Sequence, residues 1–334
     1  MKIISSIAKD ISFDYSNNKT LFSIPQEEFI DLNGEYNFII DGESLNLDNT
    51  CNIFSTQNKF CSKSTHFPDL LVLSLPFPDN YGHCLHDVLP TIIYHDLHSS
   101  ADHIFCPKSK VLDSLIELFN IKFSKTTFID PSQKISVNTS KICVYRLNNL
   151  RQHRHKSKIL PFKNLINKKF KTDNHLGDYS RLIYCTRNTS TDVKNKRLMD
   201  DQNEKNIIKL LEDFAKTQNL IFTIFNGQEN GRTMSHKNQA NLFRGASVVV
   251  GPHGSAMANV LYLDDNRKPT VCEFCSGTEV QIHGGVFDKH YNGLYAYTFD
   301  NLYDYYLIPF EKSSTRFETT IDIENLKKFL KTIS

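Results

Sequence analysis

The stretch Val248–Leu263, VVVGPHGSAMANVLYL, decides how this chain is read. A β-branched apolar run stops at Gly251-Pro252-His253-Gly254, and a helix-compatible segment follows at once. The pattern is that of a buried strand, a tight glycine turn and a helix N-terminus. Such a turn gathers backbone N–H groups and the positive end of a helix dipole, which makes a seat for a phosphate or another anion. Pro252 removes one donor, leaving the amides of His253, Gly254 and Ser255. No Gly-Lys-Ser/Thr follows, and the spacing G-x-G-x-x-G is absent. The turn is therefore neither a Walker loop nor a dinucleotide fingerprint.

Outward from this turn, strands and helices alternate. Arg181–Cys185 (RLIYC), Leu220–Phe225, Ser247–Val250, Thr270–Phe274 and Leu294–Thr298 read as strands. Between them, Glu204–Thr217 carries Ile207, Ile208, Leu210, Leu211 and Phe214 at helical spacing, and Gln239–Arg244 fits a short helix. Ile321–Ile333 reads as a terminal amphipathic helix.

The first half repeats the pattern. Leu70–Leu75 (LLVLSL) is a buried strand, and a helix is expected from Gly82 to His98. His103–Cys106, Phe128–Ile129 and Lys141–Tyr145 are further strands, and Val111–Phe119 a helix. Alternation of this kind implies parallel sheets with crossover helices. The fold class is α/β, two Rossmann-like domains of similar size, with a ligand expected in the cleft at the carboxyl ends of both sets of strands. The expected domains are 1–160, whose residues 1–65 form an irregular β-rich extension, and 161–320. The terminal helix, 321–334, is expected to pack back on the first domain.

Composition sets outer limits. The chain has 334 residues, 40% hydrophobic and 23% charged, with a net charge of +2. That suits a soluble globular protein and argues against nucleic acid as a partner. The basic tract Arg146–Lys171 lacks interleaved aromatics, so a solvated connector is favoured over an RNA or membrane patch. Cys143 and Cys185 lie within apolar runs, as small core residues do. Cys272-x-x-Cys275 has no second pair beside it, which leaves zinc weakly supported. The start, MKIISSIAKDISFDYS, meets Lys9 and Asp10 before any apolar stretch is long enough to span a membrane or be cleaved. A cytoplasmic protein with reduced thiols and no transmembrane segment is expected.

Three clusters carry chemistry. The first runs from Asp79 to Pro90 (DNYGHCLHDVLP). His83 and Asp87 stand four apart and share a helix face. A carboxylate beside an imidazole fixes its tautomer, the arrangement wanted in a general base. His86 is the second candidate, and His83, His86 and Asp87 together can also reach a metal ion. The second cluster is Arg187, just past a strand end, with Arg197 at the approach to a helix; two arginines suit a diphosphate because guanidinium binds phosphate bidentately. The third is the opening turn together with Glu273, which ends the next strand and so can accept hydrogen bonds from ribose hydroxyls.

In order and spacing these clusters resemble glycosyltransferase family 61, over about residues 70–300. Asn80, His83, Asp87 and Pro90 match its first element and Arg187 its second. Arg197 matches the arginine of the third, but Asp200-Asp201-Gln202 stands where Asn-Glu is expected. Gly251, His253, Gly254, Ala256 and Asn259 match the fourth element and Glu273 the last; Gly293–Tyr297 is similar to the family's final strand motif.

The resemblance implies a GT-B-like enzyme whose two domains face a central cleft. It implies transfer of a sugar, with inversion, from a nucleotide-diphosphate donor, expected to be a UDP-sugar, to a glycan or polysaccharide hydroxyl. His83 or the His83–Asp87 pair is then the base, with His86 second. Asn80, Arg187, Arg197, His253, Gly254, Ser255, Asn259 and Glu273 are the donor-binding set, with Glu273 on the ribose. No cofactor is required, a divalent metal is left open, and so is a homodimer. Two other readings stay open: a metal-dependent hydrolase or phosphotransferase built on His83, His86 and Asp87, and a non-catalytic nucleotide- or glycan-binding protein.

Overall fold

The computed structural model describes residues 11–14, 19–22, 28–41, 53–56, 65–75, 78–146, 156–170, 180–188, 198–275, 303–311 and 318–334. The chain divides into two compact units, Met1–His153 and Arg154–Ser334, a little ahead of the border expected at 160.

The first unit is built on one sheet. Its strands are β1 (Ile11–Asp14), β2 (Lys19–Phe22), β3 (Glu28–Asp41), β4 (Ile53–Thr56), β5 (Thr65–His66), β6 (Asp69–Ser74), β7 (His103–Pro107), β8 (Thr126–Ile129) and β9 (Lys134–Arg146). They lie in the order β1-β2-β4-β3-β9-β6-β7-β8, with β5 also on β9. From β9 through β6 and β7 to β8 the pairing is parallel. From β9 outward through β3, β4, β2 and β1 it is antiparallel.

The segment expected to be an irregular extension thus forms the antiparallel half of the sheet. Only Asp69–Ser74 of β6 pairs with β9, along Lys141–Arg146. Without β3 the opposite edge of β9 would offer a row of unpaired backbone groups, and β3 covers it from Lys134 to Val144. Leu70, Leu71, Val72, Leu73 and Leu75 are all buried, as a central parallel strand covered on both faces requires.

β6 leads into α1 (Tyr81–His83), a π-helical turn (Cys84–Val88) and α2 (Leu89–His98). Pro90 explains the wide turn. Proline lacks an N–H, and in a regular helix its ring meets the carbonyl four residues back. Here the Leu89 N–H bonds to the Cys84 carbonyl, five residues back, and the local widening accommodates the ring. α3 (Lys110–Phe119) joins β7 to β8.

The second unit comprises α4 (Lys156–Phe170), β10 (Arg181–Cys185), β11 (Leu198–Met199), α5 (Asp201–Thr217), β12 (Ile221–Phe225), the hairpin β13 (Gln228–Glu229) and β14 (Arg232–Thr233), α6 (His236–Arg244), β15 (Ala246–Pro252), β16 (Thr270–Cys275), β17 (Asp304–Glu311), β18 (Glu318–Ile321) and α7 (Ile323–Thr332). Its main sheet runs β11-β18-β17-β16-β15-β10-β12. β12, β10, β15, β16 and β17 are mutually parallel. Val249, Val250, Val271, Cys272, Phe274 and Cys275 are buried, as strands covered on both faces require, and Glu273 is the charged residue buried among them. Two parallel-rich sheets, each with crossover helices, make the two-domain α/β class that the sequence implied.

Three expectations change. The helix expected directly after the opening turn starts at Met257 and is of the 3-10 type, Met257–Tyr262. The terminal helix α7 places Leu326, Phe329 and Leu330 in the core of the second unit, beside Ile207, Leu211 and Ala215 of α5, rather than on the first. The later half of the basic tract is α4, which buries Ile159, Phe162, Ile166 and Phe170 instead of serving as a solvated connector. The strand expected at 294–298 lies outside the described residues. Cys84, Cys106, Cys143, Cys185, Cys272 and Cys275 are all buried, and among the described residues no helix is long and apolar enough to cross a membrane.

Candidate active site

Sheet topology selects two places. In the second unit the chain leaves β10 through α5 to reach β12 on one side, then crosses through α6 to β15 on the other. Connections diverging in this way open a crevice at the carboxyl ends of β10 and β15. In the first unit β6 is followed by β7 on one side and flanked by β9 on the other, so the carboxyl end of β6 is the equivalent position.

At the exit of β6, Asn80 caps the helix: its side-chain oxygen accepts the His83 N–H at 3.3 Å. Asn80, expected in the donor-binding set, is placed here at the start of the helix that carries His83. Nδ1 of His83 lies 3.0 Å from Oδ2 of Asp87. An ionised carboxylate only accepts, so Nδ1 carries the hydrogen and Nε2 is the nitrogen able to take a proton. The Asp87 side chain is 1% exposed and that of His83 26%, which buries the orienting group and leaves the working group accessible. His86, the second candidate, is buried, which makes it less accessible to a substrate hydroxyl than His83. Burial pushes the neighbouring Cys84 thiol far above its ordinary range, and Asp79 and Asp87 add to the effect, so it is inert as a nucleophile.

In the second unit Arg187 and the glycine turn come together. A Cβ built on Gly254 would fall on the Arg187 guanidinium. Gly254 is therefore glycine because the arginine lies against its backbone. Gly251 is glycine for another reason: its Cβ would stand 2.7 Å from the Cys185 carbonyl oxygen on β10. The loop carrying Arg187 is tied on both sides. Thr186 Oγ1 donates to Glu204 at 2.6 Å and accepts the Asn188 N–H at 3.2 Å. The Asn188 side chain exchanges hydrogen bonds with the Met199 backbone at 2.9 and 3.0 Å. Glu204 also accepts from the Tyr184 hydroxyl at 3.1 Å.

Sequence reasoning missed Glu204. The signal was there: an Asn-Glu pair, Asn203-Glu204, stands two residues beyond the place where it was sought. Asp200 in turn is the N-cap of α5, accepting the Asn203 N–H at 2.8 Å.

His253 follows the same design as His83. Its Nδ1 lies 2.5 Å from Oε1 of Glu273, and the two side chains are 27% and 0% exposed. Glu273 also accepts the Tyr305 hydroxyl at 2.6 Å. Full burial places Glu273 behind His253, so the expected direct contact with a ribose is withdrawn.

Asn259 is likewise fully buried, donating to the Ala256 carbonyl and the Gln239 side chain at 3.0 and 3.1 Å; it braces the turn from within and does not face a ligand. The His253 N–H is used by the Phe274 carbonyl at 2.8 Å. That amide is therefore committed within the sheet, and Arg187 and His253 are the two basic side chains at the turn. Ser255 is exposed on the turn, and Arg197 lies outside the described residues.

The acidic pair Asp264-Asp265 belongs to a separate network. Lys163 of α4 is buried with Nζ 2.9 Å from Asp265 and 2.9 Å from the Leu261 carbonyl. Arg244 reaches Asp264 at 3.3 Å and Asn167 at 2.7 Å. These groups clamp α4 to the connection after β15. Among the described residues no three His, Cys, Asp or Glu side chains are grouped to hold a metal ion.

Residues 81–270 match the profile of Glycosyltransferase 61, more than half of the chain. The protein belongs to this family. It is a glycosyltransferase. Two solved structures are similar to it. One is the bacterial iron-containing dodecameric glycosyltransferase TibC from enterotoxigenic E. coli, at 13% identity with 80% of this chain and 78% of that one covered and a TM-score of 0.35. The other is the dodecameric iron-containing heptosyltransferase TibC in complex with ADP-D-β-D-heptose, at 13% identity with 92% and 83% covered and a TM-score of 0.37. No curated protein matches the chain.

Proposed function

We propose that this glycosyltransferase moves a sugar, with inversion, from a nucleotide-diphosphate donor to a hydroxyl of a glycan or polysaccharide. The observation that carries the reading is the pair of histidine–carboxylate dyads, one at each switch point, with Arg187 against Gly254 beside the second. His83 takes the proton of the acceptor hydroxyl on Nε2 as the oxygen attacks C1. The bond from C1 to the diphosphate oxygen breaks through an oxocarbenium-like transition state. Arg187 and His253 neutralise the charge that gathers on the leaving diphosphate. UDP is the nucleotide we assign to the donor, on the resemblance of the motifs, and no resident cofactor enters this scheme. A cytoplasmic site of action belongs to the same reading, supported by cysteines packed as core residues.

The test combines binding with turnover. A panel of nucleotide sugars is screened by thermal shift, since a bound donor raises the melting temperature with its affinity. His83→Ala is then compared with wild type on the stabilising donor. Transfer should disappear while UDP affinity stays within a few fold. Surviving transfer would move the base away from His83.

A further inference from the structure

The relay behind His253 has a third member, Tyr305. β15, β16 and β17 are parallel neighbours, and their register places Gly251 beside Glu273 and Val271 beside Tyr305. Side chains two apart on a strand share a face. His253 therefore shares the face of Gly251 and Glu273, and Tyr305 that of Val271 and Glu273. The three side chains form a diagonal across the strands, which brings the Tyr305 hydroxyl to Oε2 and the His253 Nδ1 to Oε1 of one buried carboxylate, at 2.6 and 2.5 Å.

We propose that Tyr305 is a positioning residue for donor recognition. By occupying Oε2 it fixes the rotation of the Glu273 carboxylate, so that Oε1 faces His253. The carboxylate accepts from Nδ1–H, and this holds the imidazole in one tautomer with Nε2 directed away from the protein interior, available to the diphosphate. Tyr305 is buried with its hydroxyl on Glu273, so it acts through the other two residues and does not touch the donor. The inference rests on the proposed role of His253 as a diphosphate ligand.

The experiment uses the full chain labelled with nitrogen-15 at histidine, the His253 ring signals being assigned by their loss in His253→Ala. In wild type the ring should show the Nδ1–H form. In Tyr305→Phe, which keeps the ring and removes one donor, the His253 signals should move toward a mixture of tautomers, and UDP affinity should fall about tenfold. In a His253→Ala background the same substitution should change UDP affinity by less than about twofold, because coupled residues are non-additive. Glu273→Gln serves as the second variant, perturbing the ring signals from the middle of the relay.

Unchanged His253 signals in Tyr305→Phe overturn the proposal, as does an undiminished affinity loss in the His253→Ala background. Shifted ring signals with unchanged UDP affinity support the relay and overturn the assignment of His253 to the diphosphate. The two failures are thereby separated.

Discussion

Gly254→Ala gives the sharpest test of the diphosphate seat, because the structure says what the added methyl would meet. The ideal Cβ lies 2.7 Å from Cζ and 2.8 Å from Nε of Arg187, with a terminal nitrogen closer still. Gly254 does not have a positive φ, so alanine is compatible with the backbone and the clash is resolved by swinging the guanidinium away. A charge-assisted contact between arginine and phosphate contributes about 1.5–3 kcal/mol. Its loss should weaken UDP binding about tenfold to a hundredfold, with little change in thermal stability.

Gly251→Ala is the contrasting control. There the new Cβ stands 2.7 Å from a carbonyl oxygen and 2.8 Å from the Cβ of Cys185 on β10. Both belong to a central strand that cannot swing aside, and overpacking of this kind costs about 1–3 kcal/mol. Gly251→Ala should therefore lower the melting temperature by several degrees. Calorimetric titration with UDP and thermal melts of both variants decide the matter. If Gly254→Ala binds UDP as wild type does, Arg187 is not held against the turn for a diphosphate. If Gly254→Ala is instead the variant that loses stability, the steric reasoning is wrong.

Glu273→Gln should weaken UDP and 2′-deoxy-UDP equally, because a fully buried carboxylate cannot select a ribose hydroxyl; a change in their affinity ratio returns Glu273 to the ribose site. Lys163 gives a pH prediction. Burial lowers its pKa from 10.5 to about 8 against the opposing pull of Asp265. Between those values the unfolded chain binds the proton more tightly, so this residue's contribution to stability rises from about pH 8 to pH 10.5 and is at its minimum below pH 8. Urea melts of wild type and Lys163→Met across pH 7–10 should show the difference moving in favour of wild type as pH rises, and a constant difference removes Lys163 from the titration.

The parts of the fold written as short-range patterns were legible in the chain. β6, β10, β15 and β16 are strands buried on both faces, and LLVLS, RLIYC, VVVG and VCEF say so without reference to anything distant. The placing of the candidate residues at strand exits was legible for the same reason, since a parallel sheet places its crevices at carboxyl ends. His83 and Asp87 were paired by helical spacing, and the structure joins them at 3.0 Å.

What escaped the reading depends on partners far along the chain. β1 to β4 form a regular antiparallel set because β9, a hundred or so positions after β3, has an edge to cover. The helix expected after the glycine turn is a 3-10 segment pinned by the Asn259 carboxamide to Gln239. The terminal helix packs on α5 because Leu326, Phe329 and Leu330 meet an apolar face that only the folded second unit assembles.

The amino-acid sequence by itself determined the α/β class, the strand exits and the residue types gathered there, because apolar period and turn chemistry are local. Only the tertiary structure decided which groups face outward. Glu273 and Asn259 are withdrawn into the interior and Asn80 caps a helix, while His253 stands on the turn and Arg187 lies against it. That division follows from the register of β15, β16 and β17 and from the contact between Gly254 and Arg187. Burial and long-range hydrogen bonding are properties of the packed chain, and no spacing rule within one segment contains them.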